Sequence, residues 1–273
     1  MNDTRLTAEQ FDVFNRDGVL RLPGFIPGAD ALAMADRVWA DLGQRYAIDR
    51  QDTSTWTVIR PASFQKLERG GAFKRLDRPA FRALFDEFLG LWDAPKWWGQ
   101  ALVTFPERAR RWDVPHQHWH LDLPPESARL ARRRDSPLPC LRVFVFLNDV
   151  QPTGGGTLYI EGSHKVAADR AAEFPPGASS RSADLRERLK AEEPWLAALW
   201  SAAGENRIER FMGEGAIVRG VDLKVKEMTG GPGDAIVMHP ATFHTFAPNV
   251  LTEPRLMVVQ ALYRRDCAWE IRL

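Results

Sequence analysis

The chain has 273 residues, with 37 Lys+Arg against 36 Asp+Glu, a formal net charge of +1, 44% hydrophobic residues and ten Trp. That length is ample for a buried core, the near-neutral charge removes any general pull toward nucleic acid or an anionic membrane, and the apolar content excludes disorder over the whole chain. With no run of about 18 apolar residues, no signal-peptide core and only Cys140 and Cys267, neither a membrane span, a secretion signal nor a disulfide framework is expected, and the expected location is a reducing cytoplasm.

Residues 7–17 read as a short helix capped by Thr7, with Gln10 as its capping-box partner and Gly18 as its stop. Residues 19–22 read as a strand. A second helix is expected over 29–46, with Leu32, Ala35, Val38, Trp39 and Leu42 on one face. Residues 49–75 look irregular. Residues 79–92 carry Phe81, Leu84, Phe85, Phe88 and Leu89 in helical register. Beyond residue 100 the pattern changes. Strands are expected at 140–147, 157–160, 223–228, 235–238 and 256–263, punctuated by Gly154-Gly155-Gly156, Gly230-Gly231-Pro232-Gly233 and Pro248-Asn249. Strand does not alternate with helix, which argues against a parallel Rossmann sheet and for an antiparallel sandwich or jelly roll. Residues 182–203 interrupt the β pattern as one helix, read as an insertion near the mouth of the β domain. No linker or repeat is evident. The expected organisation is therefore a single domain over 1–273, with a helical layer over 1–100 and an all-β jelly-roll core over 101–273.

The histidines are few and concentrated: His116, His118, His120, His164, His239 and His244 are all the chain has. This clustering points to a metal site. In His116-Gln-His-Trp-His-Leu-Asp122, strand alternation would put His120 and Asp122 on one face, with His116 and His118 beside them. His244, after a separate strand, can supply a third ligand, and two His with one carboxylate form the facial triad of non-haem Fe(II) enzymes. His239 reads as a structural histidine. Arg255 lies on the next strand. If it points inward it needs an anion, because a buried unpaired charge is costly and its planar fork matches a carboxylate; otherwise it is an edge arginine. Arg129, Arg132, Arg133 and Arg134 read as a solvated face or an anchor for an anionic substrate, and the 182–203 helix, with Trp195 and Trp200, as core or lid.

Taken together, Trp119-His120-Leu-Asp122, Gly154-Gly-Gly-Thr-Leu-Tyr-Ile-Glu-Gly-Ser-His-Lys165, Gly233-Asp-Ala-Ile-Val-Met-His-Pro-Ala-Thr-Phe-His244, Pro248-Asn249 and Arg255 resemble the phytanoyl-CoA dioxygenase family, as does the segment 14–25. The resemblance implies a double-stranded β-helix and an Fe(II)- and 2-oxoglutarate-dependent dioxygenase that uses O2 and releases succinate and CO2. It implies iron held by His120, Asp122 and His244, with Arg255 on the distal carboxylate of 2-oxoglutarate and Thr157 as a further contact. Related halogenases carry a small residue in place of the carboxylate, so Asp122 points to hydroxylation. The chain departs from the family pattern at Phe246, where a hydroxyl residue is common, at Leu121 and at Glu161. Other readings are a cupin-like Zn or Mn protein that uses His116, His118, His120 and Asp122, and a non-catalytic binding protein on the same fold. The expected partner is a small-molecule substrate; the sequence does not specify its identity or the oligomeric state.

Overall fold

The computed structural model describes residues 5–107, 111–122, 137–173 and 182–267. Two antiparallel sheets form its centre. The first has the order β1 (Val19–Leu22), β7 (Ala235–Met238), β3 (Cys140–Phe146), β9 (Arg255–Tyr263), β2 (Gln100–Thr104). The second has the order β5 (Ala216–Val218), β6 (Val221–Glu227), β4 (Leu158–Glu161), β8 (His244–Thr245).

Side chains alternate across each strand, so one face of the first sheet packs on helices and the other lines the interior. Leu141, Val143 and Val145 of β3 and Leu256, Val258 and Leu262 of β9 join the helical core. Phe144, Phe146, Met257 and Val259 instead meet Tyr159 of β4, from the second sheet. The two sheets therefore close on each other as a jelly roll. Helices α1 (Ala8–Asp17), α2 (Gly28–Tyr46), α3 (Gln65–Arg69) and α4 (Pro79–Leu89) add to the first core; α4 buries all five of its expected apolar residues. Each such side chain contributes about 1.5–3 kcal/mol of hydrophobic stabilisation. Helices α5 (Ser163–Ala171), α6 (Ser182–Glu192) and α7 (Pro194–Leu199) join a separate core with the outer face of the second sheet.

Several expectations are corrected. Leu32 is 45% exposed, because the buried stripe of α2 runs through Ala31, Met34, Ala35, Val38 and Leu42, and Leu32 lies one step off it. The helix expected over 182–203 is two helices, broken where Pro194, at the first position of α7, has no N–H to continue α6. Its Trp195 and Trp200 are buried against Phe211 and Phe243, so this segment is core, not a lid. Residues 49–75 contain α3 and two single 3-10 turns, and α4 stops at Leu89 rather than residue 92. The short strands β2, β5 and β8 and the helix α5 were not expected. The Arg129–Arg134 run lies outside the described residues.

One glycine ties the N-terminal helix to the strand turn near the site. Gly18 has φ +76°, and an added Cβ would lie 2.4 Å from Nδ1 of His164 and 2.7 Å from Oγ1 of Thr242. Its carbonyl accepts from the His239 N–H at 2.8 Å and the Thr242 hydroxyl at 3.2 Å. His239 is structural, as expected: its ring lies between Phe14 and His164, and its Nδ1 accepts from the Ala241 N–H at 3.1 Å.

Burial pushes the His164 imidazole down from 6.5 to about 4. Between those values the unfolded chain takes up a proton that the folded chain refuses. The stability contributed here is therefore complete above pH 6.5 and is lost as pH falls toward about 4, a change on the order of 3 kcal/mol. Denaturant melts from pH 7 to pH 4.5 should show a steeper loss for the native protein than for His164→Gln; parallel pH profiles would refute this assignment.

Candidate metal centre

The His120 and His244 segments are joined as an antiparallel bridge. Each residue's N–H donates to the other's carbonyl, both at 3.1 Å, and the rings lie 4.2 Å apart between centroids. The ring nitrogens are oriented alike. Nδ1 of His120 lies 2.8 Å from the His118 carbonyl, and Nδ1 of His244 lies 3.1 Å from the Thr242 carbonyl. A carbonyl only accepts, so each Nδ1 carries the proton and each Nε2 keeps its lone pair, the state a metal ligand needs. Burial pushes the His244 imidazole down to about 4, although Asp122 acts the other way, so this ring is neutral near pH 7.

Asp122 completes the cluster. Its Oδ2 is 3.3 Å from Nε2 of His244, and its Oδ1 is 3.7 Å from Nε2 of His120. One donor atom from each of the three residues lies within 4.8 Å of the others. Two imidazole nitrogens and one carboxylate converging from one side leave the opposite coordination positions open, a donor set suited to Fe(II). Arg142 of β3 forms an ion pair with Oδ2 of Asp122 and so fixes the carboxylate from the interior side.

His116 and His118 do not join this cluster. Strand alternation fails before His120 because His118 adopts φ +63°, a left-handed conformation that costs on the order of 1–3 kcal/mol in a residue with a side chain. Three contacts hold it: the Thr245 hydroxyl donates to the Gln117 carbonyl at 3.1 Å, the His118 carbonyl receives His120, and the His118 ring packs 4.8 Å from Phe246. Together they aim His120 at Asp122.

Arg255, an interior or an edge residue by sequence, is interior. Register places it opposite Thr104 of β2, and it is buried. Its Nη2 donates to Oγ1 of Thr104 at 2.7 Å and its Nη1 to Oγ1 of Thr157 at 3.4 Å. Its Nε–H is buried with no hydrogen-bond partner among the described residues. Burial pushes the guanidinium down to about 10, with the Arg60 charge adding to the effect and Glu227 opposing it. Glu227 is itself occupied: its carboxylate accepts from the Thr153 and Gly156 N–H groups, and burial pushes it up to about 7. Arg255 thus has hydroxyl partners, an unmet N–H and a buried positive charge, the features that fit a carboxylate-bearing ligand.

Thr104, Arg142, Arg60 and Glu227 escaped sequence reasoning. Register supplies the first two, and neither β2 nor the inward face of β3 carries a motif that announces them. The 49–75 segment, read as irregular, supplies Arg60. Glu227 had a weak signal, as an acid in step with the buried Leu223 and Val225 at the end of its strand.

No family model matches the chain, and no curated protein matches it. Solved structures do. HygX from Streptomyces hygroscopicus, crystallised with nickel and 2-oxoglutarate, is 15% identical with a TM-score of 0.58, over 96% of this chain and 88% of its own. The epimerase SnoN, in complex with Fe3+, alpha ketoglutarate and nogalamycin RO, is 18% identical with a TM-score of 0.51, over 94% and 82%. EctD from S. alaskensis, with 2-oxoglutarate and 5-hydroxyectoine, is 17% identical with a TM-score of 0.54, over 97% and 79%. At these identities the likeness establishes the shared jelly-roll fold.

The donor set predicts divalent-metal binding that needs all three residues. Saturating Mn(II) or Ni(II) should raise the melting temperature by roughly 5–10 °C. His120→Ala, Asp122→Ala and His244→Ala should each abolish the shift, whereas His116→Ala should keep it. A shift that survives in the His244 variant and vanishes in the His116 variant would replace this ligand set with the His-rich one.

Proposed function

We propose that the chain is an Fe(II)- and 2-oxoglutarate-dependent dioxygenase of the phytanoyl-CoA dioxygenase type, which hydroxylates an unactivated C–H bond of a small-molecule substrate and releases succinate and CO2. The reading takes residues 1–273 as one oxygenase domain and places it in the cytoplasm. Two buried free cysteines and the absence, among the described residues, of a helix long and apolar enough to cross a membrane accord with that location. One observation carries the functional reading. A facial His–Asp–His set and a buried arginine that forms no ion pair among the described residues belong to the same jelly-roll interior. The relatives crystallised with 2-oxoglutarate support it through their shared fold.

When bound, Fe(II) with 2-oxoglutarate and O2 supplies the oxidising chemistry, through oxidative decarboxylation of the co-substrate. The protein's part is positioning. His120, Asp122 and His244 hold the metal with two neutral imidazoles and one carboxylate. Arg255 takes the far carboxylate of 2-oxoglutarate, and Thr104 and Thr157 fix the plane of its guanidinium. That anchoring lowers the entropic cost of a productive orientation. Phe146, Met257 and Val259 line the interior and keep bulk water from it. Arg142 holds Asp122 in register with the two histidines.

Anaerobic titration of metal-free protein with Fe(II) and then 2-oxoglutarate tests this reading. The visible charge-transfer band of the chelate is expected for the native protein. His120→Ala should lose it with the metal. Arg255→Ala should keep the metal and weaken 2-oxoglutarate binding by about a hundredfold, as expected for a charge-assisted anchor in a buried site. Iron bound without any band would overturn the dioxygenase reading and favour the cupin-like alternative.

A further inference from the structure

The Gly154-Gly155-Gly156 and Pro248-Asn249 turns meet through an antiparallel bridge between Gly154 and Asn249. Asn249 is fully buried, and its side-chain amide is committed on every side to the backbone. Its Nδ2 donates to the Glu253 carbonyl at 2.7 Å and to the Thr104 carbonyl at 3.3 Å, and its Oδ1 accepts from the Leu251 N–H at 3.0 Å. Thr104 and Arg255 form the last pair of the β2–β9 register. The Asn249 amide continues the connection past that pair, joining the end of β2 to the loop that delivers Arg255.

Glu227 does the same for Thr157. Its Oε2 accepts from the Thr153 N–H at 2.8 Å and its Oε1 from the Gly156 N–H at 3.0 Å, and Thr157 follows that turn directly. Space is closed where the turns meet. A Cβ on Gly156 would lie 2.1 Å from the Met228 carbonyl oxygen, and one on Gly155 2.9 Å from Cβ of Asn249, so the two turns interlock. The backbone on either side of Arg255 is pinned separately: Asn148 donates to the Pro254 carbonyl at 2.7 Å and accepts from the Leu256 N–H at 2.9 Å. What is left to set is the direction of the guanidinium, and its oxygen partners, the hydroxyls of Thr104 and Thr157, set it. A charge-assisted hydrogen bond weakens steeply with misalignment, so the grip on a carboxylate depends on that direction.

We propose that Asn249 and Glu227 are positioning residues for the co-substrate anchor: they act through Thr104 and Thr157, and together they aim Arg255 at the distal carboxylate of 2-oxoglutarate. The inference rests on the dioxygenase reading, which assigns that carboxylate to Arg255.

Anaerobic titration of Fe(II)-loaded protein with 2-oxoglutarate and with 2-oxobutyrate, followed by the chelate band, tests the proposal without turnover. The two acids share the chelating end, and 2-oxobutyrate lacks the distal carboxylate, so the ratio of their dissociation constants reports the anchor alone. The native protein is expected to favour 2-oxoglutarate by about a hundredfold. Asn249→Ala should cut that ratio by about tenfold, with the affinities for 2-oxobutyrate and Fe(II) unchanged. Glu227→Gln keeps the shape of the side chain but sets an amide N–H against one of the turn's donors, and should cut the ratio by about three- to tenfold. General damage to the fold weakens both acids alike and leaves the ratio unmoved. The proposal is overturned for either residue whose variant keeps the native ratio or loses both acids equally, and if Asn249→Ala does not fold, Glu227→Gln decides it. A native protein with the band but no preference for 2-oxoglutarate overturns the Arg255 anchor and the proposal with it. A native protein with no band fails the dioxygenase reading itself, whereas one with the band and an unchanged ratio in both variants fails only the positioning assignment.

Discussion

Two reciprocal backbone hydrogen bonds between His120 and His244 hold the site together. They fix two remote segments of chain side by side, and each imidazole is then locked by a carbonyl two residues before it. The two lone pairs converge because the backbone leaves them no alternative. Asp122 needs only to follow His120 by two residues and be braced by Arg142 to finish the set. The left-handed turn at His118 is the local strain that makes the bridge possible. It is held by the Thr245 hydroxyl and the Phe246 ring, both on the partner segment. The second histidine segment therefore shapes the first.

Electrostatics divides the interior into parts with separate tasks. Arg142 is satisfied by Asp122 and belongs to the metal side. Arg255 is buried, with the hydroxyls of Thr104 and Thr157 and the sulfur of Met257 as its partners among the described residues. Arg60 is stacked on Phe246, partly exposed and paired with Glu107. Each arginine has a different degree of burial and a different partner chemistry.

Much of this architecture was legible in the sequence where local chemistry dictates local form. Thr7, Gln10 and Gly18 bound the first helix as their cap geometry requires. The branched and aromatic run in β3 and the Phe-rich register of α4 behaved as their periodicities imply. The meeting of His120, Asp122 and His244 was legible from the motifs and their order. What escaped depends on contacts between distant residues. Thr104 matters because register sets β2 opposite β9, and Arg142 because the pleat turns it toward Asp122. A histidine at positive φ leaves no mark in composition, since that conformation is imposed by Thr245 and Phe246. The break at Pro194 was readable and was overridden by the apolar pattern on either side of it.

The Gly18 contact bears on how the protein is made. The turn that carries His239, Thr242 and then His244 hangs from the carbonyl of Gly18, between the first helix and the first strand, and Arg255 opens a strand lying between β3 and β2. A growing chain on the ribosome cannot assemble the metal triad when His120 and Asp122 emerge; it must wait until more than a hundred further residues have been synthesised and the opening strand has been threaded beside β7. The donor set that could hold a metal is therefore completed only late in biogenesis, and a chain able to take up an ion there is one whose distant segments have already met.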